Sequence, residues 1–291
     1  MRLHLIDGTY ELFRAHFSKR PDHITRGKNV KATAGLVSSL LFLLHEEAED
    51  VTHAAVAFDN PIRSFRNDLF DGYKSDEGVP EELLEQFDLA EEAAAALGLV
   101  VWRMDKWEAD DALATAATRF APKVQQVRLL SPDKDLRQCL SGKKVVMVNR
   151  MHEKLIDEAV LRAEWGIAPE SVPDYLALVG DDADGIPGLK GYGAKGASAL
   201  LGAYGKLESI PDDVTKWKVK PRGADALAET LRANRKEALL YRTLATLVTD
   251  VPLKEKLADL EFGGVPRARF EKFCDKLELT TARSRPKRWA P

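Results

Sequence analysis

The sequence predicts an α/β protein in which a mostly parallel sheet is followed by a mainly helical region. Three apolar runs, residues 2–7, 53–59 and 126–130, each end in or shortly before acidic residues. Helical patterns separate these runs, and this alternation is typical of parallel sheets. From about residue 157 onward the strand patterns fade, and the remaining patterns are helical.

The other elements follow from periodicity. LVVW (99–102) and VVMV (145–148) predict two more strands. The predicted helices span residues 32–49, 81–97, 109–120, 157–165, 172–180, 195–204 and 225–247. In parallel sheets ligands bind outside the carboxyl ends of the strands, so acids at those ends predict a site there.

The composition is that of a globular protein. The chain has 291 residues, of which 45% are hydrophobic and 31% are charged, enough for one large or two modest domains. Cys139 and Cys274 lie far apart without metal-type spacing, which favours free thiols. The N-terminus lacks a signal-peptide pattern, and the longest apolar stretch (36–44) is too short to span a membrane. We therefore expect a cytoplasmic protein without a membrane partner.

The net charge of −3 conceals two regions of opposite sign. Residues 1–184 contain 22 Lys and Arg against 33 Asp and Glu, whereas residues 185–291 contain 21 against 13. A basic region indicates a polyanionic partner, although an ordinary solvated surface also produces such a balance.

Nine acidic residues lie at strand ends, helix starts or turns of the predicted fold. They are Asp7, Asp59, Glu108, Asp110, Asp111, Asp133, Asp135, Asp181 and Asp184. Singly, each has a structural explanation, because acids favour helix N-termini, caps and turns. Together they indicate a metal site, since two carboxylates about 4 Å apart repel by about 4 kcal/mol at an effective dielectric of about 20.

The donor atoms indicate which metals would bind. Carboxylates without His or Cys favour hard ions, Mg²⁺ or Mn²⁺. The number of carboxylates exceeds what one Mg²⁺ usually takes, so we expect two ions, about 4 Å apart, as used in phosphodiester cleavage.

The segment GLKGYGAKGASALL (188–201) predicts a glycine-rich turn that leads into a helix. Glycines let backbone amides approach a phosphate, and a helix N-terminus with Lys195 adds positive potential. Such a loop binds a phosphodiester backbone without reading bases. A tight helical hairpin with no ligand explains the same residues equally well.

The motifs together resemble those of the 5′-nucleases, which comprise bacterial 5′–3′ exonucleases, the exonuclease domain of type-A DNA polymerases, and flap endonucleases. The resemblance runs from LIDG (5–8) to about residue 257. It passes in order through FDNPIRSFR (58–66), GYK (72–74), EADD (108–111), SPDKD (131–135), GDDAD (180–184), GLKGYGAKGA (188–197) and TDVPL (249–253).

The resemblance implies a domain organisation. A PIN-like metal-dependent nuclease domain is expected at 1–180, with an arch-equivalent segment at 75–97. A helix–three-turn–helix region that binds duplex DNA is expected at 181–260, and a C-terminal extension at 261–291. We expect the basic tail RSRPKRWAP to be loose. No polymerase domain follows, so the family likeness implies a stand-alone enzyme.

The resemblance also implies roles for individual residues. The expected ligands of the first metal ion are Asp7, Asp59, Glu108 and Asp110, with Asp111 close by. Those of the second are Asp133, Asp135, Asp181 and Asp184. Lys74 and Arg66 are expected near the scissile phosphate as catalytic residues. Phe13 is expected to stack on a nucleobase, although a core position explains it equally well, and Arg14 is expected to contact a phosphate. The DNA-binding hairpin comprises Lys190, Gly191, Gly193, Lys195 and Gly196, and its backbone carbonyls are expected to bind K⁺.

The chain departs from the family pattern at several positions. Residues 75–102 contain no Lys or Arg, and Asp76 and Glu77 follow Lys74 where the family places an Arg nearby. An acidic arch should repel a threading strand. Gly185 stands where the family usually has Asn, and Gly196 where it has Ser or Thr.

The sequence therefore predicts a structure-specific 5′-nuclease that hydrolyses DNA at 5′ ends or 5′ flaps by a two-metal mechanism, in replication or repair. The acidic arch leaves open a non-catalytic protein that binds DNA junctions with the same fold. A PIN-type ribonuclease is a third alternative, which the hairpin disfavours because small PIN nucleases lack one.

Overall fold

A computed structural model describes all of residues 1–291. The chain forms two compact units, each assembled from separate stretches of sequence. The first unit comprises residues 1–63, 76–131 and 249–291, and the second comprises residues 64–75 and 132–248. The domain boundaries expected at residues 180 and 260 stay predictions.

Strands and helices alternate through the first half of the chain, and helices dominate the second. The strands are Arg2–Asp7 (β1), Ile24–Thr25 (β2), Lys28–Asn29 (β3), His53–Asp59 (β4), Val100–Met104 (β5), Gln126–Leu130 (β6), Val145–Asn149 (β7) and Lys154–Ile156 (β8). The helices are Gly8–His16 (α1), Lys31–His45 (α2), Glu81–Leu84 (α3), Phe87–Ala96 (α4), Ala109–Phe120 (α5), Glu158–Trp165 (α6), Val172–Val179 (α7), Ala194–Tyr204 (α8), Ala224–Ala233 (α9), Arg235–Ala245 (α10), Arg267–Lys276 (α11) and Thr280–Arg283 (α12). The predicted α/β class is confirmed.

The sheet of the first unit brings two strand-end acids to one edge. Its strands lie in the order β5-β4-β1-β6, and each neighbouring pair is parallel. Asp7 ends β1 and Asp59 ends β4, the adjacent strand, so both lie at the carboxyl edge of the sheet. This edge is where parallel sheets bind ligands.

The segment at 75–97 is in large part a core element of the first unit. The face of α4 that carries Phe87, Ala90 and Ala93 is buried in the hydrophobic core. Two acids of α4 have basic partners in the same unit. Asp88 Oδ1 lies 3.0 Å from Arg103 Nη1, and Glu92 Oε2 lies 2.5 Å from Lys276 Nζ. Salt bridges therefore balance part of the local negative charge, which the sequence of this segment did not indicate.

The C-terminal tail is ordered, so the expectation of a loose tail is wrong. The centroids of the Trp289 and Phe270 rings are 6.4 Å apart. The Arg267 guanidinium carbon lies 4.1 Å from the centroid of the Trp289 ring. The backbone of Val265 pairs with the tail through Val265 N to Arg288 O and Ala290 N to Val265 O. One partly buried aromatic residue that packs against the core outweighs the basic, proline-containing composition around it.

The second unit is mainly helical, with β7 and β8 forming an antiparallel pair. Residues 225–247, predicted as one helix, are two, α9 and α10, which meet at Asn234. The Asn234 side chain donates to the Thr230 carbonyl at 2.8 Å, and its φ of −120° departs from helical geometry. Asparagine competes for backbone hydrogen bonds in this way, which ends α9 inside an otherwise helical pattern.

None of the helices has both the length and the apolar character needed to cross a membrane.

A buried polar network ties β1 to β6 in the first unit. His4 Nε2–H donates to Glu49 Oε2 at 2.9 Å, and Arg128 donates to the same oxygen at 2.6 Å. The His4 hydrogen bond, helped by Arg128, lowers the pKa of Glu49 to about 2. Burial lowers the pKa of His4, so His4 is the neutral donor at pH 7.

We expect Glu49→Gln to lower the free energy of unfolding at pH 7 by about 2 kcal/mol. A carboxylate with a depressed pKa stabilises the fold above its unfolded pKa, and that contribution is lost as the pH falls from about 4.5 toward 2. The difference between the wild type and Glu49→Gln should therefore shrink over that range. Urea unfolding at pH 7, 5, 4 and 3 measures it, and a difference independent of pH would contradict the assignment.

Candidate metal centre and nucleic-acid loop

Three buried carboxylates converge in the second unit. One ligand oxygen each of Asp135, Asp181 and Asp184 lies within 4.8 Å of the others. All three residues are at most 4% exposed. Three carboxylates at this separation can share one cation. Burying them costs free energy unless a positive charge compensates the lost hydration.

A tight loop presents two of these acids. The backbones of Asp181 and Ile186 exchange two hydrogen bonds of 2.8 Å, which closes residues 181–186 into a compact turn. The chain returns so closely behind it that a Cβ on Gly188 would lie 2.5 Å from Gly180 N. Both glycines have positive φ, so glycine is required for this geometry.

The third acid comes from the turn after β6. Asp135 begins a short 3-10 turn, and its amide donates to Asp133 Oδ1 at 2.9 Å. Burial, with the negative charges of Asp184 and Asp181 nearby, raises the pKa of Asp133 to about 6. Burial also raises the pKa of Asp135 well above its usual value, and the charges of Asp133 and Asp184 add to the shift.

The donor set of this cluster fits a hard divalent cation. Every ligand atom is a carboxylate oxygen, and Asp135 Oδ1 is buried without a hydrogen-bond partner. Buried polar atoms in proteins are nearly always satisfied, so such an oxygen indicates a ligand. A divalent cation bound by these oxygens would also reduce the mutual repulsion of the carboxylates.

Two lysines border the cluster. Lys74 Nζ lies 3.0 Å from Asp184 Oδ1, and Lys134 Nζ lies 2.6 Å from Asp181 Oδ2. Lys74 was expected near the site from the sequence. Lys134 was missed, although a lysine flanked by two acids in SPDKD was a signal that could have found it.

The five other predicted metal ligands belong to the first unit. Asp7 caps α1 through Tyr10 N at 2.8 Å and accepts from the Ser131 hydroxyl at 2.8 Å. Asp59 Oδ1 accepts from Ala109 N at 2.7 Å, which ties the end of β4 to the start of α5. These contacts hold Asp7 and Asp59 at the edge where α5 begins.

The EADD motif opens α5, as predicted. Glu108 is the N-cap, and a capping box joins its side chain and that of Asp111 to each other's backbone amides, with Glu108 N to Asp111 Oδ2 at 3.0 Å. Asp111 is fully buried, and Asp110 is 9% exposed. The cap accounts structurally for Asp111, and Asp110 lies in the first turn of α5, where the helix dipole favours an acid. Metal-ligand roles for all five acids stay predictions.

Residues 64–75 carry both predicted catalytic cations, in different surroundings. Arg66 is 1% exposed, and its guanidinium donates to the carbonyls of Leu244 at 2.7 Å and Thr246 at 2.9 Å. The Asn67 side chain donates to the Lys74 carbonyl at 2.8 Å. Arg66 thus joins this segment to the end of α10, while Lys74 reaches the acidic cluster. Their catalytic roles stay predictions.

The glycine at 185 allows this segment to approach the acidic loop. Lys74 N donates to Asp184 O at 3.0 Å, and a Cβ on Gly185 would lie 2.1 Å from Gly72 O. Gly185 also has a φ of +71°. Gly185 therefore allows the chain of Lys74 to lie against the loop of Asp184.

We expect Gly185→Ala to lower the free energy of unfolding by about 3 kcal/mol, because the added Cβ meets a backbone oxygen and alanine resists positive φ. Gly193→Ala is the matched control, since no heavy atom lies within 4 Å of its added Cβ and its φ is −121°. Chemical denaturation of both variants measures the effect. Equal stabilities would show that the close approach to Gly72 is not maintained in solution.

The glycine-rich loop has the local structure that the sequence predicted. Gly191 has a φ of +87°, and Gly193 is the N-cap of α8 without a side-chain cap. Lys190 and Lys195 are exposed beside it. Buried Tyr192 anchors the loop by donating its hydroxyl to the Leu227 carbonyl at 3.0 Å. A Cβ on Gly196 would lie 3.4 Å from the Leu227 side chain, so the position accepts a small side chain.

Phe13 and Arg14 belong to the first unit and are both in contact with its core. The Phe13 ring packs edge-on against Phe87 at 6.4 Å. The Arg14 guanidinium binds the buried carboxylate of Glu11 and the Ser39 hydroxyl. Base stacking by Phe13 and phosphate binding by Arg14 stay predictions.

Comparison with known proteins identifies the family. A model of the "5′-3′ exonuclease, N-terminal resolvase-like domain" matches residues 2–166, and one of the "5′-3′ exonuclease, C-terminal SAM fold" matches residues 167–268. The chain belongs to the 5′-3′ exonuclease family. The family inferred from the sequence motifs is thereby confirmed.

Curated relatives of this exonuclease-family chain are DNA polymerases I. That of Rhizobium leguminosarum is 37% identical over 287 residues, which cover 96% of this chain and 28% of the polymerase. That of Bacillus caldotenax is 33% identical, covering 95% of this chain and 32% of the polymerase. The chain thus spans about a third of the length of the curated relatives it matches.

Solved structures share the fold. T5 5′-exonuclease with bound zinc ions matches with a TM-score of 0.66 at 19% identity, covering 97% of this chain and all of that one. The catalytic core of Rad2 in complex with DNA matches with a TM-score of 0.59 at 14% identity, covering 94% of this chain and 86% of that one. At sequence identities this low, the similarity shows that the folds are alike.

Proposed function

We propose that the chain is a structure-specific 5′-nuclease that hydrolyses DNA phosphodiester bonds at 5′ ends or 5′ flaps, in replication or repair. The observation that carries the proposal is the buried cluster of Asp135, Asp181 and Asp184 in a member of the 5′-3′ exonuclease family. The T5 exonuclease crystallised with divalent zinc, and the Rad2 core with DNA, support the same chemistry. The proposal includes a cytoplasmic location, because that is where such a protein would meet its DNA substrate.

Two groups of acids would hold Mg²⁺ or Mn²⁺. Asp133, Asp135, Asp181 and Asp184 form the proposed group in the second unit. Asp7, Asp59, Glu108 and Asp110, with Asp111 close by, form the proposed group in the first. Such a pair of ions, when bound, supplies Lewis acidity for the attacking water and for the leaving oxygen of the phosphodiester.

The protein's own cations complete the proposed chemistry. Lys74 carries an ammonium group at the border of the acidic cluster, 3.0 Å from Asp184, on a segment anchored by Asn67. A cation fixed there can stabilise negative charge that develops on the phosphate. Arg66, which was expected to do the same, is buried against backbone carbonyls, and we propose that it positions the segment of Lys74.

The glycine-rich loop is the proposed site for the DNA backbone. Lys190, Lys195 and the uncapped N-terminus of α8 offer charge and amide donors to phosphates, and Gly191, Gly193 and Gly196 keep the backbone accessible. Binding of K⁺ by the loop's carbonyls is part of this proposal.

Cleavage assays on a matched set of substrates test the function. Purified protein should cleave a 5′-flap DNA in Mg²⁺ or Mn²⁺ and leave it intact in EDTA. The same flap made of RNA should be cleaved much more slowly, whereas preferred RNA cleavage would favour a ribonuclease. Tight binding of the DNA flap without hydrolysis in either metal would favour the junction-binding protein.

We expect Lys195→Ala to weaken flap binding uniformly across sequences and to lower the slope of log affinity against log salt by about 1. The reason is that Lys195 would neutralise a single phosphate without contacting a base. Lys236→Ala, at another exposed lysine on α10, is the control. Fluorescence anisotropy between low and moderate salt measures the slope for each variant. A Lys195→Ala slope equal to that of the Lys236→Ala control would exclude Lys195 as a phosphate contact.

A further inference from the structure

Lys134 is an unassigned cation within the proposed metal centre. It lies in sequence between Asp133 and Asp135, and its Nζ is 2.6 Å from Asp181 Oδ2. The Lys134 side chain is 44% exposed, whereas that of Asp181 is 3% exposed. A half-exposed lysine side chain therefore neutralises a carboxylate that is itself almost fully buried.

Both oxygens of Asp181 are in use. Oδ1 accepts from Ala183 N at 3.1 Å, a contact that belongs to the closed loop of residues 181–186. Oδ2 faces Lys134. Oδ2 is the oxygen of Asp181 outside this loop contact, and a divalent ion that binds Oδ2 meets Lys134.

The neighbouring acids differ in this respect. Asp184 Oδ1 is bound by Lys74, a residue already placed in the proposed chemistry, whereas Asp135 Oδ1 has no hydrogen-bond partner. One oxygen of the cluster is thus ready to bind a cation, and one must first release Lys134. The long lysine stem permits that release, because the Lys134 side chain is half-exposed.

We propose that Lys134 competes with the divalent ion for Asp181 Oδ2 and thereby sets the metal concentration that the centre requires; the proposal rests on the proposed function. An ammonium group beside the ligands both repels the incoming ion and must give up an ion pair when the ion binds. Lys134 is in this sense a determinant of metal affinity, acting through Asp181.

The competition is tested by isothermal titration calorimetry, in which Mn²⁺ alone is titrated into the full chain. Lys134→Met keeps the length of the side chain and removes the charge, so its Kd for Mn²⁺ should fall about tenfold. Lys154→Met is the matched control, because Lys154 is 48% exposed, belongs to the same unit and pairs at 2.5 Å with Glu164, outside the cluster. Its Kd should equal that of the wild type.

Two further results separate the possibilities. Lys134→Arg retains the charge and should bind Mn²⁺ no more tightly than the wild type, which tests the idea even if Lys134→Met folds poorly. Unchanged or weaker Mn²⁺ binding by folded Lys134→Met, or tighter binding by Lys134→Arg, would overturn the competition alone. A wild type that binds no Mn²⁺ would overturn the proposed function as well.

Discussion

Asp135→Asn should make the protein more stable without added metal and nearly inactive with it. Asp135 is 4% exposed among like charges, and burial with those charges raises the pKa of its carboxyl well above the usual value. A carboxyl with a raised pKa destabilises the fold increasingly as the pH rises above its unfolded pKa. A neutral amide of nearly the same shape removes that cost, so we expect a gain of about 1 kcal/mol at pH 8.5 in EDTA.

The same substitution should lower cleavage of a 5′-flap by about a hundredfold or more, since it removes one charged ligand of a proposed Lewis-acid site. It should also reduce the stabilisation that Mn²⁺ confers in thermal unfolding. The control is Asp182→Asn, because Asp182 lies in the same loop and is exposed. If Asp135→Asn were less stable in EDTA and fully active in Mn²⁺, the acidic cluster would be a structural polar network.

Arg66→Met should lower the free energy of unfolding by about 3 kcal/mol. The guanidinium is buried, and its loss leaves the carbonyls of Leu244 and Thr246 without these donors. Methionine fills much of the volume, so the effect reports mainly on polar contacts. Arg63→Met, three residues earlier and exposed, should change stability by no more than about 0.5 kcal/mol.

The pair of variants also separates two roles for Arg66. A residue that positions the segment of Lys74 should affect stability and, through Lys74, the rate of cleavage. A residue that binds only the scissile phosphate should affect the rate and leave urea unfolding unchanged. Stability equal to that of the wild type, with cleavage strongly reduced, would restore Arg66 as a direct catalytic residue.

The sequence predicted the parallel sheet well because its strands are buried on both faces and read as short apolar runs. It missed α1, whose buried positions include Gly8 and Glu11 and so break the apolar pattern. It also predicted residues 225–247 as one helix, because periodicity continues across Asn234 while the backbone does not. Local hydrogen bonding by one side chain decided that boundary.

The candidate site divides in the same way. The sequence indicated the acids at strand ends and in SPDKD and GDDAD because residues that follow the strands of a parallel sheet come to its carboxyl edge, and the structure brings Asp135, Asp181 and Asp184 together. Their roles as metal ligands stay predictions. Lys134 was overlooked, and Arg66 was expected to face a phosphate, since the direction in which a side chain points depends on contacts with residues far away in sequence. Leu244 and Thr246 lie about 180 positions from Arg66.

By itself the sequence determined the family, the α/β class and the identity of the acidic and glycine-rich motifs, because these depend on residue type, order and local spacing. Only the tertiary structure decided which carboxylate oxygen of the cluster is buried without a donor, which lysines neutralise the other carboxylates, that α4 packs into the core, and that Trp289 packs against it. Charge balance and burial are sums over neighbours that the fold assembles, and such sums cannot be read along a single chain.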